Sequence, residues 1–216
     1  MNLLDQTIGD IACELPGATA VFHAHRLDFC CGGGKPLRDA IAKRGADQEA
    51  VLEGLAALAP RGAGDRDWRA VNNPELIEHI LARFHERHRE QLPELIRLAR
   101  RVEHVHGERP ECPRGLADHL ETMASELESH MEKEEQILFP MLRASNPMAA
   151  APISVMRFEH DQHGEALAAL EALTNNITPP PGACNTWRAL YAGMAQLRSD
   201  LMEHIHLENN VLFQRV

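Results

Sequence analysis

Apolar residues recur three and four positions apart along most of the chain, and prolines and glycines cut this helical rhythm into segments. Residues 7–58 read as short helices, interrupted by Pro16, by Gly32, Gly33 and Gly34, and by Gly45. The last is the best punctuated: Asp47 can cap a helix over residues 48–58, whose Val51, Leu55 and Leu58 share one face. Pro60, Gly62 and Gly64 then mark a linker, which predicts a small helical domain over 1–59, a linker over 60–72 and a larger domain over 73–216.

The larger domain carries four long amphipathic patterns. The first opens with Asn73 as cap and Pro74 at the first helical position, and runs to about His106 before Gly107. Pro93 lies inside it and predicts a kink, although Leu92, Leu95, Ile96 and Leu98 carry the apolar stripe onward. Further helices are expected over about 113–142, 152–173 and 185–213. The connections hold Pro110, Pro147 and the run Pro179, Pro180, Pro181, so sequence neighbours should lie antiparallel. The expected fold is all-α, a small N-terminal helical domain followed by an up-down four-helix bundle. Composition agrees: aromatics are only 4%, and Leu, Ala, Ile and Met dominate the apolar set.

Charge and cysteine usage narrow the function. A formal net charge of −10 argues against nucleic acid as a partner, since its phosphates demand a basic surface. No run of about 18 apolar residues occurs and no leader pattern opens the chain, so a cytoplasmic protein without a membrane partner is expected. Five cysteines, an odd number without framework spacing, fit reduced thiols.

The 13 histidines matter through their placement. His130 with Glu134, and His204 with Glu208, repeat one spacing in two helices, and residues four apart stack on one helical face. A single such pair is commonly a solvated contact worth a few tenths of a kcal/mol. Here both pairs sit among core-type neighbours, and the remaining helices add His85 and His88, and His160 and His163. Buried histidines and carboxylates must pair or bind metal. One residue or pair from each helix gives His85, His130, Glu134, His160, His204 and Glu208, too many for a tetrahedral zinc and suited to two irons, with Phe84, Met131 and Leu201 as an apolar shell. His88, His163 and His206 stay open as further ligands or supporting groups.

On these residues the chain resembles the hemerythrin-like di-iron proteins, and among them the branch that repairs iron-sulfur clusters. The resemblance rests on FCCGGG at 29–34, HERHREQLPELI at 85–96, SHMEKEEQILFPM at 129–141, EHDQHGE at 159–165, NNITPPP at 175–181 and HIHLENNVLF at 204–213. It implies two iron ions per chain, joined by an oxo bridge and held by His85, His130, His160, His204, Glu134 and Glu208. The preference for His85 over His88, and for His160 over His163, comes from this resemblance.

Oxygen-carrying hemerythrins are similar but have a fifth histidine. Here Gly164 stands four residues after His160, and the last helix has a histidine-glutamate pair, which implies a more open site suited to nitric oxide, peroxide or iron release. The N-terminal part resembles the ScdA-like domain that accompanies this family. Cys30 and Cys31, before three glycines, are expected on an exposed flexible turn as the reactive residues for exchanging iron or nitric oxide. The implied function is repair of iron-sulfur clusters damaged by nitrosative or oxidative stress, by donation of iron. The implied partners are damaged iron-sulfur proteins and nitric oxide or oxygen. Nitric oxide reduction at the two irons, gas binding or sensing, and assembly as a homodimer remain open alternatives.

Overall fold

The computed structural model describes residues 2–58 and 66–216, and among them the regular elements are all helical, with one isolated antiparallel bridge between Thr7 and Pro36. Backbone contacts divide the chain into two units, one of Met1–Leu76 with Met202–Val216 and the other of Ile77–Leu201. No described helix is long and apolar enough to cross a membrane.

The first unit holds α1 (Ile8–Glu14), α2 (Ala18–Ala24), α3 (Leu37–Arg44) and α4 (Gln48–Ala56). Asp47 caps α4 by accepting from the backbone N–H groups of Glu49 and Ala50, as its spacing predicted. Ile8, Ile11, Phe22, Leu37, Val51 and Leu55 are buried and form the unit's core. The start of α1 donates into the glycine loop: Ile8 N–H to the Lys35 carbonyl at 2.9 Å and Gly9 N–H to the Gly33 carbonyl at 2.8 Å. Helix-end donors that would otherwise lack partners are thereby satisfied.

Of the expected linker, residues 60–65 lie outside the described residues. Residues 66–72 are tied down: the Arg69 guanidinium bonds Asp67 and Glu14, and Arg215 donates to the Trp68 carbonyl at 2.6 Å.

The remaining α-helices are α5 (Asn73–Ile80), α6 (Glu86–His106), α7 (Leu116–Lys133), α8 (Phe139–Arg143), α9 (Ala150–Leu173) and α10 (Asn185–Asn210). Their directions follow from which residues meet in the second unit. Along α6 and α7, Glu103 meets Ala117, Arg100 meets Glu121, and Arg89 meets Glu128, so the two helices are antiparallel. His119 meets Ala166 and His130 meets Glu159, which sets α9 antiparallel to α7. Gln91 meets Asp200 while His106 meets Trp187, which sets α10 antiparallel to α6. The interior is filled by Leu92, Leu95, Leu120, Leu127, Leu170, Trp187 and Met194, all buried.

α6 runs through Pro93 as one helix, and the departure from α geometry lies upstream, over Leu81–His85, where the chain winds as a π-helix. A second π segment spans Glu134–Leu138 between α7 and α8. Residues 174–177 form a tight reversal. Asn175, Asn176 and Ile177 all have positive φ, and the Thr174 hydroxyl accepts from Ile177 N–H at 3.0 Å while donating to the Leu170 carbonyl at 2.7 Å. A β-branched residue at positive φ is strained, and those bonds hold it.

Candidate metal centre

The two π segments place the residues that sequence spacing could not rank. In each, one N–H reaches back five residues, from Glu86 to the Leu81 carbonyl and from Phe139 to the Glu134 carbonyl. Such a turn carries one extra residue and re-aims the side chains around it, which is why π-bulges recur at functional sites. The effect is plain at Glu134 and Glu135. Both approach His85, Glu134 Oε2 lying 3.4 Å from Nε2 and Glu135 Oε1 lying 2.8 Å from Nδ1.

The six residues singled out from the sequence are all buried, none exposed by more than 1%. They form two groups whose potential ligand atoms lie within 4.8 Å of one another: His85, Glu134, His204 and Glu208 in one, and His130, Glu134, His160 and Glu208 in the other. Each group has its own pair of histidines, and both groups contain the same two glutamates.

Within the groups, His130 Nε2 stands 3.5 Å from Glu134 Oε1, His204 Nε2 stands 3.3 Å from Glu208 Oε1, and the Nε2 atoms of His130 and His160 are 3.1 Å apart. Donor atoms about 2.1 Å from a shared cation are separated by about 3.0–3.4 Å, so these spacings are near the edges of a coordination polyhedron.

Outer carboxylates settle how two of the imidazoles face inward. His85 Nδ1 donates to Glu135 and His130 Nδ1 donates to Glu159 Oε2 at 2.9 Å. With its proton on Nδ1, a neutral imidazole turns the Nε2 lone pair inward, the tautomer a metal requires. The Nε2 lone pairs of His85 and His130 then face the Glu134 carboxylate at 3.4 and 3.5 Å, an arrangement that is repulsive unless a cation lies among them. The donor chemistry therefore fits a metal.

Both outer carboxylates continue to surface cations. Arg89 bonds Glu135 at 2.8 Å and Glu128 at 2.9 Å, and Lys133 pairs with Glu159. Burial pushes the Glu135 carboxyl up, but hydrogen bonds from Arg89 and His85 outweigh it and hold Glu135 below the usual carboxylate range. Glu135 and Glu159 escaped the sequence reading. The only signal was their adjacency to Glu134 and His160.

The remaining histidines divide. His88 is buried and stacks on Phe84, with ring centroids 6.4 Å apart, and His163 meets the His130 ring edge-on at 4.9 Å; neither belongs to the two groups. His206 points elsewhere: Nε2 lies 3.5 Å from Cys13 Sγ, Nδ1 lies 3.0 Å from Asn210 Nδ2, and Phe29 packs on the ring edge. Burial holds its pKa down, to about 4. Phe84, Met131 and Leu201 are buried at 0–1% exposure, as the expected apolar shell requires.

The cysteine pair departs from expectation. Cys30 is only 5% exposed and Cys31 is partly buried, so the turn is neither open nor loose. Asn209 Nδ2 donates to the Cys30 carbonyl at 3.2 Å, and Asn210 Nδ2 donates to the Phe29 carbonyl at 3.1 Å. These asparagines directly follow Glu208, so the cysteine loop is fastened to the end of the helix that carries two of the six residues. Gly33 permits the contact: a Cβ there would lie 2.2 Å from Asn210 Oδ1.

The family described as the hemerythrin HHE cation binding domain matches residues 76–216, and the ScdA_N domain, described as of unknown function, matches residues 4–59. The iron-sulfur cluster repair protein YtfE of Yersinia pseudotuberculosis serotype IB (strain PB1/+) is 51% identical over 216 residues, covering 100% of this chain and 98% of its own. The protein of the same name from Dickeya chrysanthemi (strain Ech1591) is 50% identical over the same span and shares, and that of Yersinia pestis (strain Pestoides F) is 51% identical.

Proposed function

Because the chain belongs to the hemerythrin HHE cation-binding family, in the branch of the YtfE iron-sulfur cluster repair proteins, we propose that it is a di-iron protein that restores damaged iron-sulfur clusters by supplying iron. The observation that carries the reading is the sharing of Glu134 and Glu208 by two groups, each with its own histidine pair. A carboxylate offers two oxygens where an imidazole offers one nitrogen, so shared carboxylates and unshared histidines are the pattern expected of two adjacent irons. His85 and His204 would hold one iron, His130 and His160 the other, and the two glutamates would bridge them.

Iron bound there would supply redox capacity and transferable ferrous ion. The protein's own residues set how firmly it is held. Glu135 and Glu159 keep His85 and His130 in the ligating tautomer, and Arg89 and Lys133 balance their charge at the surface. Phe139, buried and stacked on the His85 ring at 5.6 Å, gives that ligand an apolar neighbour. Exchange with a damaged client falls to Cys30 and Cys31, whose thiols are of the ligand type that iron-sulfur iron accepts. The cysteine loop being clamped, a client would come to it.

The test follows iron from purified holoprotein into an apo-cluster client, with nitrous oxide measured in parallel under nitric oxide. Iron transfer with cluster recovery and no nitrous oxide is the expected result. Nitrous oxide formation without iron transfer would overturn donation in favour of nitric oxide reduction.

A further inference from the structure

We propose that Asp28, Cys30 and Cys31 form a second metal site, for one thiophilic divalent cation of the ferrous class, separate from the histidine-glutamate centre. This deepens the exchange role assigned above to the two cysteines and rests on that reading for its purpose, though the binding itself does not depend on it.

Ligand atoms of Asp28, Cys30 and Cys31 all lie within 4.8 Å of one another. The two sulfurs are 3.8 Å apart, far beyond the roughly 2.05 Å of a disulfide, and Cys30 Sγ lies 3.6 Å from Asp28 Oδ1. A tetrahedral centre with bonds of about 2.3 Å to sulfur and about 2.1 Å to oxygen has sulfur-sulfur edges of about 3.8 Å and sulfur-oxygen edges of about 3.6 Å. The two edges that meet at Cys30 Sγ are therefore those of such a centre, and the third, between Cys31 and Asp28, closes within 4.8 Å.

The loop is also held in that shape. Asn209 and Asn210 grip the carbonyls of Phe29 and Cys30, and Cys31 N–H donates to Asp28 Oδ1 at 3.0 Å. A preorganised loop loses less conformational entropy when it binds.

Charge around the loop points the same way. Binding a divalent cation displaces two protons from the thiols, and two thiolates with one carboxylate leave the complex with a net charge of −1. Asp28 and Gly32 line a cleft of about 210 Å³ together with Lys35, Lys43 and Arg44, three cations that favour an anionic metal-thiolate complex. Asp28 is exposed and Cys31 partly so, which leaves the site a solvent side from which a ligand of a client protein can enter. A three-coordinate anchor with an open position suits transfer better than storage.

Cobalt(II) is the probe, added anaerobically to reduced, iron-loaded full-length protein and followed by thiolate-to-cobalt charge-transfer absorption. One equivalent of cobalt should bind beyond the iron already present, without displacing it. Asp28→Asn keeps the oxygen that accepts from Cys31 N–H but loses the charged ligand, and should weaken cobalt binding about tenfold or more. Cys31→Ser, at the less buried thiol, and the double variant Cys30→Ser with Cys31→Ser should each abolish the two-thiolate band, with helical content and bundle iron unchanged. No thiolate band in the native protein, a band that survives in the double variant, or Asp28→Asn binding as tightly as the native chain would each overturn the site. A native protein that shows the two-thiolate cobalt band but takes up fewer than two irons before cobalt is added would instead strike at the di-iron reading, so the two failures are distinguishable.

Discussion

Removing the carboxylate of Glu135 should loosen one iron and spare the other. In Glu135→Ala, His85 Nδ1 loses its acceptor at 2.8 Å, so the imidazole can rotate or hold its proton on Nε2, both of which oppose ligation. Supporting carboxylates of this kind are worth about 10- to 100-fold in metal affinity, or about 1.4–2.7 kcal/mol. The fold should barely notice. Arg89 keeps Glu128 through bonds of 3.0, 3.0 and 2.9 Å, so no buried cation is stranded, and Glu135 is 29% exposed. His130 keeps its own support in Glu159, so the group of His130 and His160 should stay near native affinity. Chelator-driven iron release should therefore become biphasic, with a fast phase of about one iron and a slow phase near the native rate. A single phase at the native rate would show that Glu135 does not support His85, and equal acceleration of both irons would show that the two groups are not distinct metal positions.

Three further outcomes follow from the same geometry. Glu134→Leu and Glu208→Leu should each lose both irons while keeping helical content by circular dichroism, because each removes a shared ligand; retention of two irons by either variant would rule out bridging. Gly33→Ala should drive the new Cβ into Asn210, release the clamp on the cysteine loop, cost about 1–3 kcal/mol and speed alkylation of Cys30, read by mass-resolved labelling; unchanged labelling would mean the clamp does not protect the thiol. His206 stays neutral in the fold down to about pH 4, whereas unfolded chains protonate histidine near 6.5, so its contribution is intact above pH 6.5 and lost as pH falls toward 4, by up to about 3 kcal/mol. The stability difference between the native protein and His206→Gln, from denaturant unfolding, should shrink across that window, and a difference independent of pH would contradict it.

What the sequence made legible was what local periodicity encodes. His130 with Glu134 and His204 with Glu208 lie one turn apart on stripes whose neighbours are apolar, and the structure buries all four. The bundle topology was legible for the same reason, since proline-marked breaks leave four amphipathic lengths.

Illegible features depend on more than one segment or on a winding that has no composition signal. The π segments at Leu81–His85 and Glu134–Leu138 contain His85 and Glu134, which face each other where His88 does not, and nothing in their residues distinguishes them from α-helix. Pro93 looked like the place for an irregularity, yet the helix continues through it. The cysteine loop is fastened by Asn209 and Asn210, about 180 residues away in sequence, a pairing no window of the chain could reveal. The glycine run beside the cysteines suggested openness, whereas Gly33 serves close approach.

The central claim, two irons sharing Glu134 and Glu208, is tested most directly by the anomalous scattering of iron in a crystal of the anaerobically loaded protein. Two peaks about 3.5–4 Å apart, one beside His85 and His204 and one beside His130 and His160, with both glutamates touching both, are predicted. One peak, or two peaks that share neither carboxylate, would contradict the account.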